Sequence, residues 1–369
     1  DCPQRDERLG WTGDAQVFAP TACFNVNAIN FFTKWLKDFI VDQTPEGKVP
    51  WVIPNIVING GGTGWSDGTA STGWADAIIT IPYNLYKIYG NVQIIKDMYN
   101  SMKKWIDYMI SQSPEYIYNK GFHFGDWLSF SEYYSYKYNA ADYGYAGANT
   151  DKDLIATAYF FFSTKLFSEM AEVIGNKEEA ENYRKLLPYI KDAFCKEFMT
   201  STGRLTSNTQ TAYSLALMFG LIPDSLIENS AKRLANDVKY FGHLTTGFLG
   251  TPLINHALTE YGYPEVAYML LFNKKYPSWL YPVTMGATTI WERWDGIKPD
   301  STFQDPGMNS FNHYAYGAIG EWLYKKVAGI NHIEPGFKKF MIKPYICNKL
   351  TFVKANYKSM YGQINSKWE

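Results

Sequence analysis

The sequence predicts an all-α domain built as a ring of helical hairpins, and three observations carry that expectation. From about residue 24 to residue 327, segment after segment places apolar residues three and four apart, the spacing that aligns them along one face of a helix. No strand pattern alternates with these segments, which leaves helix-on-helix packing. Connections rich in Gly, Trp, Asp and Thr recur at roughly every second helix, and in a ring of hairpins that recurrence puts them all on one rim. The alternative is a looser bundle whose decorated loops are unrelated.

The first apolar stripe comprises Phe24, Ile29, Phe32, Trp35, Leu36, Phe39 and Ile40. A second pattern runs from Trp74 to Tyr89 and stops at Gly90, a residue suited to the left-handed backbone at a helix C-terminus. Further patterns cover roughly residues 92–112, 151–174, 178–198, 209–220, 225–238, 252–262, 264–274 and 314–327. Some connections are plain, such as Gly175-Asn176-Lys177 and Gly262-Tyr263-Pro264. The decorated ones are residues 1–14, NGGGTGWSDGTASTGWADA at 59–77, GFHFGDWLSF at 121–130, TTGFLGT at 245–251, GATTIWERWDG at 286–296 and MNSFNHYAYGA at 308–318. After Ile330 the texture changes to alternating apolar and polar residues punctuated by Pro and Gly, which reads as short strands. This divides the chain into a helical domain over residues 1–330 and, over 331–369, the beginning of a C-terminal β-sandwich.

A length of 369 residues with 46% hydrophobic content supports a substantial buried core. No apolar run reaches about 18 residues, so no membrane-spanning helix is expected. The formal net charge of −1, without a basic cluster, argues against a nucleic-acid partner. Cys2, Cys23, Cys195 and Cys347 lie far apart without the spacing of a zinc site or a disulfide scaffold. The histidines at 123, 243, 256, 313 and 332 have no metal-ligand spacing. With no phosphate-binding loop either, chemistry without a metal or nucleotide cofactor is expected. The opening DCPQRDERLGWTGD has the texture of a site, with small residues that let backbone approach a ligand. The chain is therefore read as the continuation of a longer one, cut on its N-terminal side, and its compartment and oligomeric state are not legible.

The aromatic content is high, with 12 Trp and 29 Tyr. Such side chains offer a flat apolar face and one polar handle, which suits stacking on the C–H face of a sugar, although an aromatic-rich core accounts for the composition as well. Two stretches carry paired acids. Glu7 sits among Asp1, Arg5, Asp6, Arg8, Trp11 and Asp14, and Glu292 lies within Trp291-Glu292-Arg293-Trp294. Glycoside hydrolysis requires one protonated carboxyl group at the leaving oxygen and one ionised partner. Neighbouring acids and Trp11 favour a protonated Glu7, while Arg5 and Arg8 oppose it. The plainer readings are an ion-paired helix start around Glu7 and a core corner around Glu292. A lone histidine such as His313 near a helix start is more often a structural hydrogen-bonding group.

Taken in order, DCPQRDERLGWTGDAQ, GWADA, GDWL, GATTIWERWDG and MNSFNHYAYGAIGEWLY resemble the signatures of glycoside hydrolase family 78, the bacterial-type α-L-rhamnosidases. The resemblance covers residues 1 to about 330 as the catalytic domain and the remainder as the entry to a C-terminal β-sandwich. It implies an (α/α)6 barrel, a six-hairpin toroid, hydrolysing terminal α-L-rhamnose with inversion. Glu7 resembles the general acid and Glu292 the general base. Asp1, Arg5 and Asp14 resemble residues that bind rhamnose hydroxyls, Trp11, Trp74 and Trp127 resemble aromatic walls, and His313 is similar to a subsite residue. The implied partner is a rhamnose-containing glycoside, oligosaccharide or polysaccharide. An inverting enzyme needs room for a water, so the Glu7 and Glu292 carboxyl groups are expected about 6.5–9.5 Å apart. The rivals are another glycosidase, a polysaccharide lyase on a similar toroid using Tyr314 or His313 as base, and a sugar-binding protein without turnover.

Overall fold

Each decorated connection that the structure describes leads into, or packs against, the entrance of a helix of an inner ring. The computed structural model describes residues 8–56, 67–130 and 149–369. Its helices are α1 (Thr12–Asn25), α2 (Ile29–Asp42), α3 (Ala77–Tyr89), α4 (Val92–Gln112), α5 (Lys152–Val173), α6 (Lys177–Arg184), α7 (Leu187–Phe198), α8 (Gln210–Phe219), α9 (Ile227–Phe241), α10 (Thr251–Glu260), α11 (Pro264–Phe272), α12 (Leu280–Thr284) and α13 (Ile319–Trp322). α1 packs on α3, α3 on α5, α5 on α8, α8 on α10, α10 on α13, and α13 back on α1. The outer layer follows the chain: α2 rests on α3 and α4, α4 on α5, α6 and α7 on α5, α9 on α8 and α10, and α11 on α10. This is the (α/α)6 barrel. Among the described residues no helix is long and apolar enough to cross a membrane.

Burial separates the two layers. α1 buries 10 of its 14 residues, whereas α2 buries Phe32, Leu36 and Phe39 alone. A helix enclosed on all sides has no polar face and hence no apolar stripe. That is why residues 1–14 read as a decorated connection, 15–23 carry no helical pattern and the first stripe begins at Phe24, which lies in the last turn of α1. The expected helix over 178–198 is two helices. Pro188 stands in the first turn of α7, where it lacks an N–H and its ring would clash with the Arg184 carbonyl, so α6 ends at Arg184. Gly90 ends α3 at φ 72°, as its position predicts.

The ring closes where α13 meets α1. Thr21 Oγ1 donates to the Ala318 carbonyl at 3.0 Å and accepts from the Glu321 N–H at 2.9 Å. A side chain at Gly320 would begin 2.4 Å from Thr21 Cγ2, so only glycine permits this approach. On the opposite end from the decorated rim lie four short strands. β1 (Ile330–His332) pairs antiparallel with β2 (Phe340–Ile342), and β3 (Val353–Ser359) with β4 (Gly362–Trp368). Tyr357 and Ile364, opposite each other in that second pair, are buried, and the Tyr357 ring lies 5.1 Å from Phe24 at the end of α1. Ser366 Oγ and Trp368 Nε1 donate to the carbonyls of Ala328 and Val327. The C-terminal strands are thus docked on the end of the ring away from the decorated rim.

Candidate active site

The rim begins as a small ladder. The Ile53 N–H donates to Gly10 O and the Thr12 N–H to Trp51 O, while the Trp51 N–H reaches Gly68 O and the Ala70 N–H reaches Val49 O. The two glycines flanking Trp11 and Thr12 serve this packing. A Cβ on Gly10 would stand 2.2 Å from the Ile53 carbonyl oxygen, and one on Gly13 would stand 2.6 Å from the Trp74 indole. Their smallness admits protein neighbours, where the sequence suggested a ligand.

Phe124 gathers the aromatic residues of the rim. Its ring lies 5.8 Å from Trp11, 4.8 Å from Trp51, 4.6 Å from Trp74, 5.1 Å from Phe122 and 5.6 Å from Trp127. Most of these contacts are edge-to-face, the arrangement the aromatic quadrupole prefers. Trp11, Trp74 and Trp127, singled out separately in three loops, therefore share one neighbour. Trp11 and Trp127 are half-buried, and Trp74 lies beneath Gly13 at 2% exposure.

Asp126 fastens the 121–130 loop to the entrance of α10. Its fully buried carboxylate accepts the N–H groups of Gly247 at 2.7 Å, Leu249 at 2.8 Å and Gly250 at 3.0 Å, together with the Thr211 hydroxyl. Burial pushes its pKa up, and the four donors oppose that shift. Every one of these partners is a donor, so the cradle fits the ionised form. Asp76 plays a comparable part below the rim, accepting from Gly73 N–H, Trp105 Nε1 and Ser163 Oγ.

Next to this cluster on the rim, residues 289–292 and 310–313 pair as a short ribbon. The Glu292 N–H donates to Ser310 O at 2.9 Å, the Ser310 N–H returns to Glu292 Oε2 at 2.9 Å, and the His313 N–H donates to Ile290 O at 2.8 Å. Glu292 is 3% exposed, and its carboxylate is fixed by backbone. Beside it Arg293 chelates Asp295, with Nε 2.6 Å from Oδ1, and Trp294 stacks on Tyr316 at 3.9 Å. Tyr316 in turn donates its hydroxyl to Leu128 O, next to Trp127.

His313 joins the ribbon to α1. Its Nδ1 accepts the Ala315 N–H at 3.3 Å, so the ring proton sits on Nε2, which lies 2.9 Å from Asp14 Oδ2. The neutral imidazole therefore donates to the Asp14 carboxylate without needing a charge. Asp14 and His313 are both buried, at 4% exposure each. The first turn of the first inner helix and the loop before the last inner segment are thereby locked together.

Of the residues expected at the site, the structure brings Trp11, Asp14, Trp74, Trp127, Glu292 and His313 to this rim. Asp1, Arg5 and Glu7 lie outside the described residues, as does the expected Glu7 to Glu292 separation. Phe124, Asp126, Phe248 and Tyr316 were missed as individual residues. All four lie within the decorated stretches, but nothing local in sequence distinguishes a hub from its neighbours. Among the described residues no group of three His, Cys, Asp or Glu side chains is placed to hold a metal ion.

Residues 1–327 match the family described as the bacterial alpha-L-rhamnosidase 6 hairpin glycosidase domain, and residues 329–369 match the bacterial alpha-L-rhamnosidase C-terminal domain. The alpha-L-rhamnosidases of Streptomyces avermitilis and Formosa agariphila are each 40% identical to this chain over its whole length. The crystal structure of the Streptomyces avermitilis protein complexed with L-rhamnose has a TM-score of 0.91 at 40% identity, covering 100% of this chain and 33% of that one. The Aspergillus terreus alpha-L-rhamnosidase has a TM-score of 0.92 at 35% identity, covering 100% of this chain and 41% of that one. The chain spans 33% and 38% of the two bacterial relatives.

Proposed function

The chain belongs to the bacterial α-L-rhamnosidase six-hairpin glycosidase family, and on that premise we propose that it is the catalytic barrel of an enzyme that removes terminal α-L-rhamnose with inversion. The observation that carries the reading is the buried Asp14 to His313 contact at 2.9 Å. It joins α1, which follows the Glu7-bearing stretch in sequence, to the segment that bears Glu292, and so supports a site built from both.

In this reading Glu7 protonates the glycosidic oxygen as its bond to C1 breaks, and Glu292 takes a proton from the water that attacks C1 from the opposite face. The oxocarbenium-like centre collapses to β-L-rhamnose and a free alcohol. Backbone fixation of Glu292 Oε2 by the Ser310 N–H holds the base in one orientation. Asp1, Arg5 and Asp14 bind sugar hydroxyls and His313, whose ring nitrogens are held by Ala315 and Asp14, orients the Asp14 carboxylate, while Trp11 and Trp127, supported by Phe124 and by Trp74 beneath, supply the apolar wall for the 6-deoxy ring. Both nitrogens of His313 are engaged, which weighs against its service as the base of a lyase.

The test is hydrolysis of an aryl α-L-rhamnoside by the full-length protein, with the released sugar followed by NMR from the first turnover. The expected first product is β-L-rhamnose. Appearance of α-L-rhamnose first would overturn inversion, and an ultraviolet-absorbing unsaturated product from a uronic-acid polysaccharide would replace the hydrolase reading with the lyase one.

A further inference from the structure

A cavity of about 210 Å3 opens on the same rim, and neither Glu292 nor His313 lines it. Thr150 lies just before α5, and Asn208 and Thr209 lie just before α8, so the cavity sits at the entrances of two adjacent inner helices. Asp237 and Phe241 reach it from the end of the outer helix α9, and Phe130 lines it from the 121–130 loop. Phe130 is three residues beyond Trp127, at most about 11 Å of extended chain. That strip is pinned at both ends, by the Phe248 N–H on Trp127 O at 2.9 Å and by the Phe130 N–H on Thr245 O at 3.2 Å.

The polar groups of the cavity are ordered. The Thr150 and Thr209 hydroxyls are 2.7 Å apart, and Thr209 Oγ1 also accepts the Ala212 N–H as the cap of α8. Asn208 Oδ1 accepts the Tyr213 hydroxyl at 2.9 Å, which orients the amide and leaves its Nδ2 as a donor. Asp237 Oδ1 is buried with no hydrogen-bond partner among the described residues. A buried acceptor left unpaired is costly, and a ligand donor would recover that cost. Among the described residues no lysine, arginine or histidine lines the cavity, and the charged side chain that does line it is Asp237, so the described lining favours a neutral ligand over an anion.

We propose that this cavity is a subsite for a neutral sugar unit of the leaving group, with Asp237 and Asn208 binding its hydroxyls and Phe130 and Phe241 covering its C–H surface. The inference rests on the rhamnosidase reading and extends it to a substrate class: rhamnose carried on a neutral oligosaccharide rather than on a small aglycone.

The experiment compares an aryl α-L-rhamnoside with α-L-rhamnosyl neutral hexose trisaccharides of the gluco and galacto series, using the full-length protein and its Asn208→Leu, Phe241→Ala and Asp237→Asn variants. Thermal melts establish that each variant folds. The expected result is a KM for at least one rhamnosyl trisaccharide that rises about tenfold in the Asn208 and Phe241 variants with kcat unchanged, and aryl rhamnoside kinetics that stay at parent values. Equal effects on the aryl and saccharide substrates, or no effect on either, would overturn the subsite. If the parent turns over none of these substrates, the rhamnosidase reading fails by itself. Titration of the rhamnose-free trisaccharides, followed by NMR, then decides the cavity alone: binding lost in the variants supports it, and absent or variant-insensitive binding refutes it.

Discussion

Asp14 Oδ2 and His313 Nε2 meet at 2.9 Å although they stand near opposite ends of the helical domain in sequence. Because the imidazole's other nitrogen accepts the Ala315 N–H, the bond is that of a neutral histidine to a carboxylate. It ties α1 to the ribbon of residues 289–292 and 310–313, which carries Glu292.

Removing either partner leaves the facing polar atom of the other buried without this bond. His313→Ala is expected to destabilise the protein by about 1–3 kcal/mol, the cost of an unsatisfied buried polar group. Asp14→Ala is expected to cost a similar amount. The double variant should be less destabilised than the sum, with a coupling of about 0.5–3 kcal/mol in urea unfolding. Additive losses would mean that the contact is geometric only.

Phe124 is 5% exposed and touches Trp11, Trp51, Trp74, Phe122 and Trp127. Phe124→Ala is expected to cost about 3–5 kcal/mol and to diminish the near-ultraviolet circular dichroism of the neighbouring indoles, with Phe124→Leu recovering part of both. A loss below 1 kcal/mol in the alanine variant, by the same unfolding measurement, would show that the four tryptophans hold their places without it.

The ring of hairpins was legible because outer helices such as α2 and α4 are amphipathic and because decorated loops precede inner helices. α1 was not legible as a helix, since burial on all sides removes the periodicity by which helices are read. The candidate site divides in the same way. Asp14 and Glu292 announce themselves as charge among Gly and Trp, His313 is singled out only by the family resemblance, and Phe124 and Asp126 act through contacts between loops far apart in sequence. Asp126 meets residues 247–250, and no local pattern at Gly125-Asp126 points there. The readings of Gly10 and Gly13 went to a ligand because close backbone approach looks the same in sequence whichever partner fills the space.

Acid should destabilise the fold through buried histidines. Burial pulls the pKa values of His123, His256 and His332 down to about 4, against about 6.5 in an unfolded chain. Between those values the unfolded state binds more protons, so stability rises with pH from 4 to about 6.5 and is lost on acidification through that window. Burial alone would raise Glu321, but the Lys325 ammonium outweighs it and holds it below its ordinary value. Its depressed pKa extends the loss to lower pH. Urea unfolding at stepped pH should therefore show a steep fall in stability between pH 6.5 and 4, and a flat profile would contradict the neutral, buried state of these rings.

The most direct test of the central claim is the kcat of Glu292→Gln on an aryl α-L-rhamnoside, measured in the full-length protein alongside its unfolding free energy. Glutamine keeps the shape of the side chain and its acceptor for the Ser310 N–H but cannot take a proton. If Glu292 activates the attacking water, kcat falls by about 10²–10⁴-fold while the protein stays folded. A folded variant that retains kcat within about threefold of the parent contradicts the assignment of Glu292 as the general base.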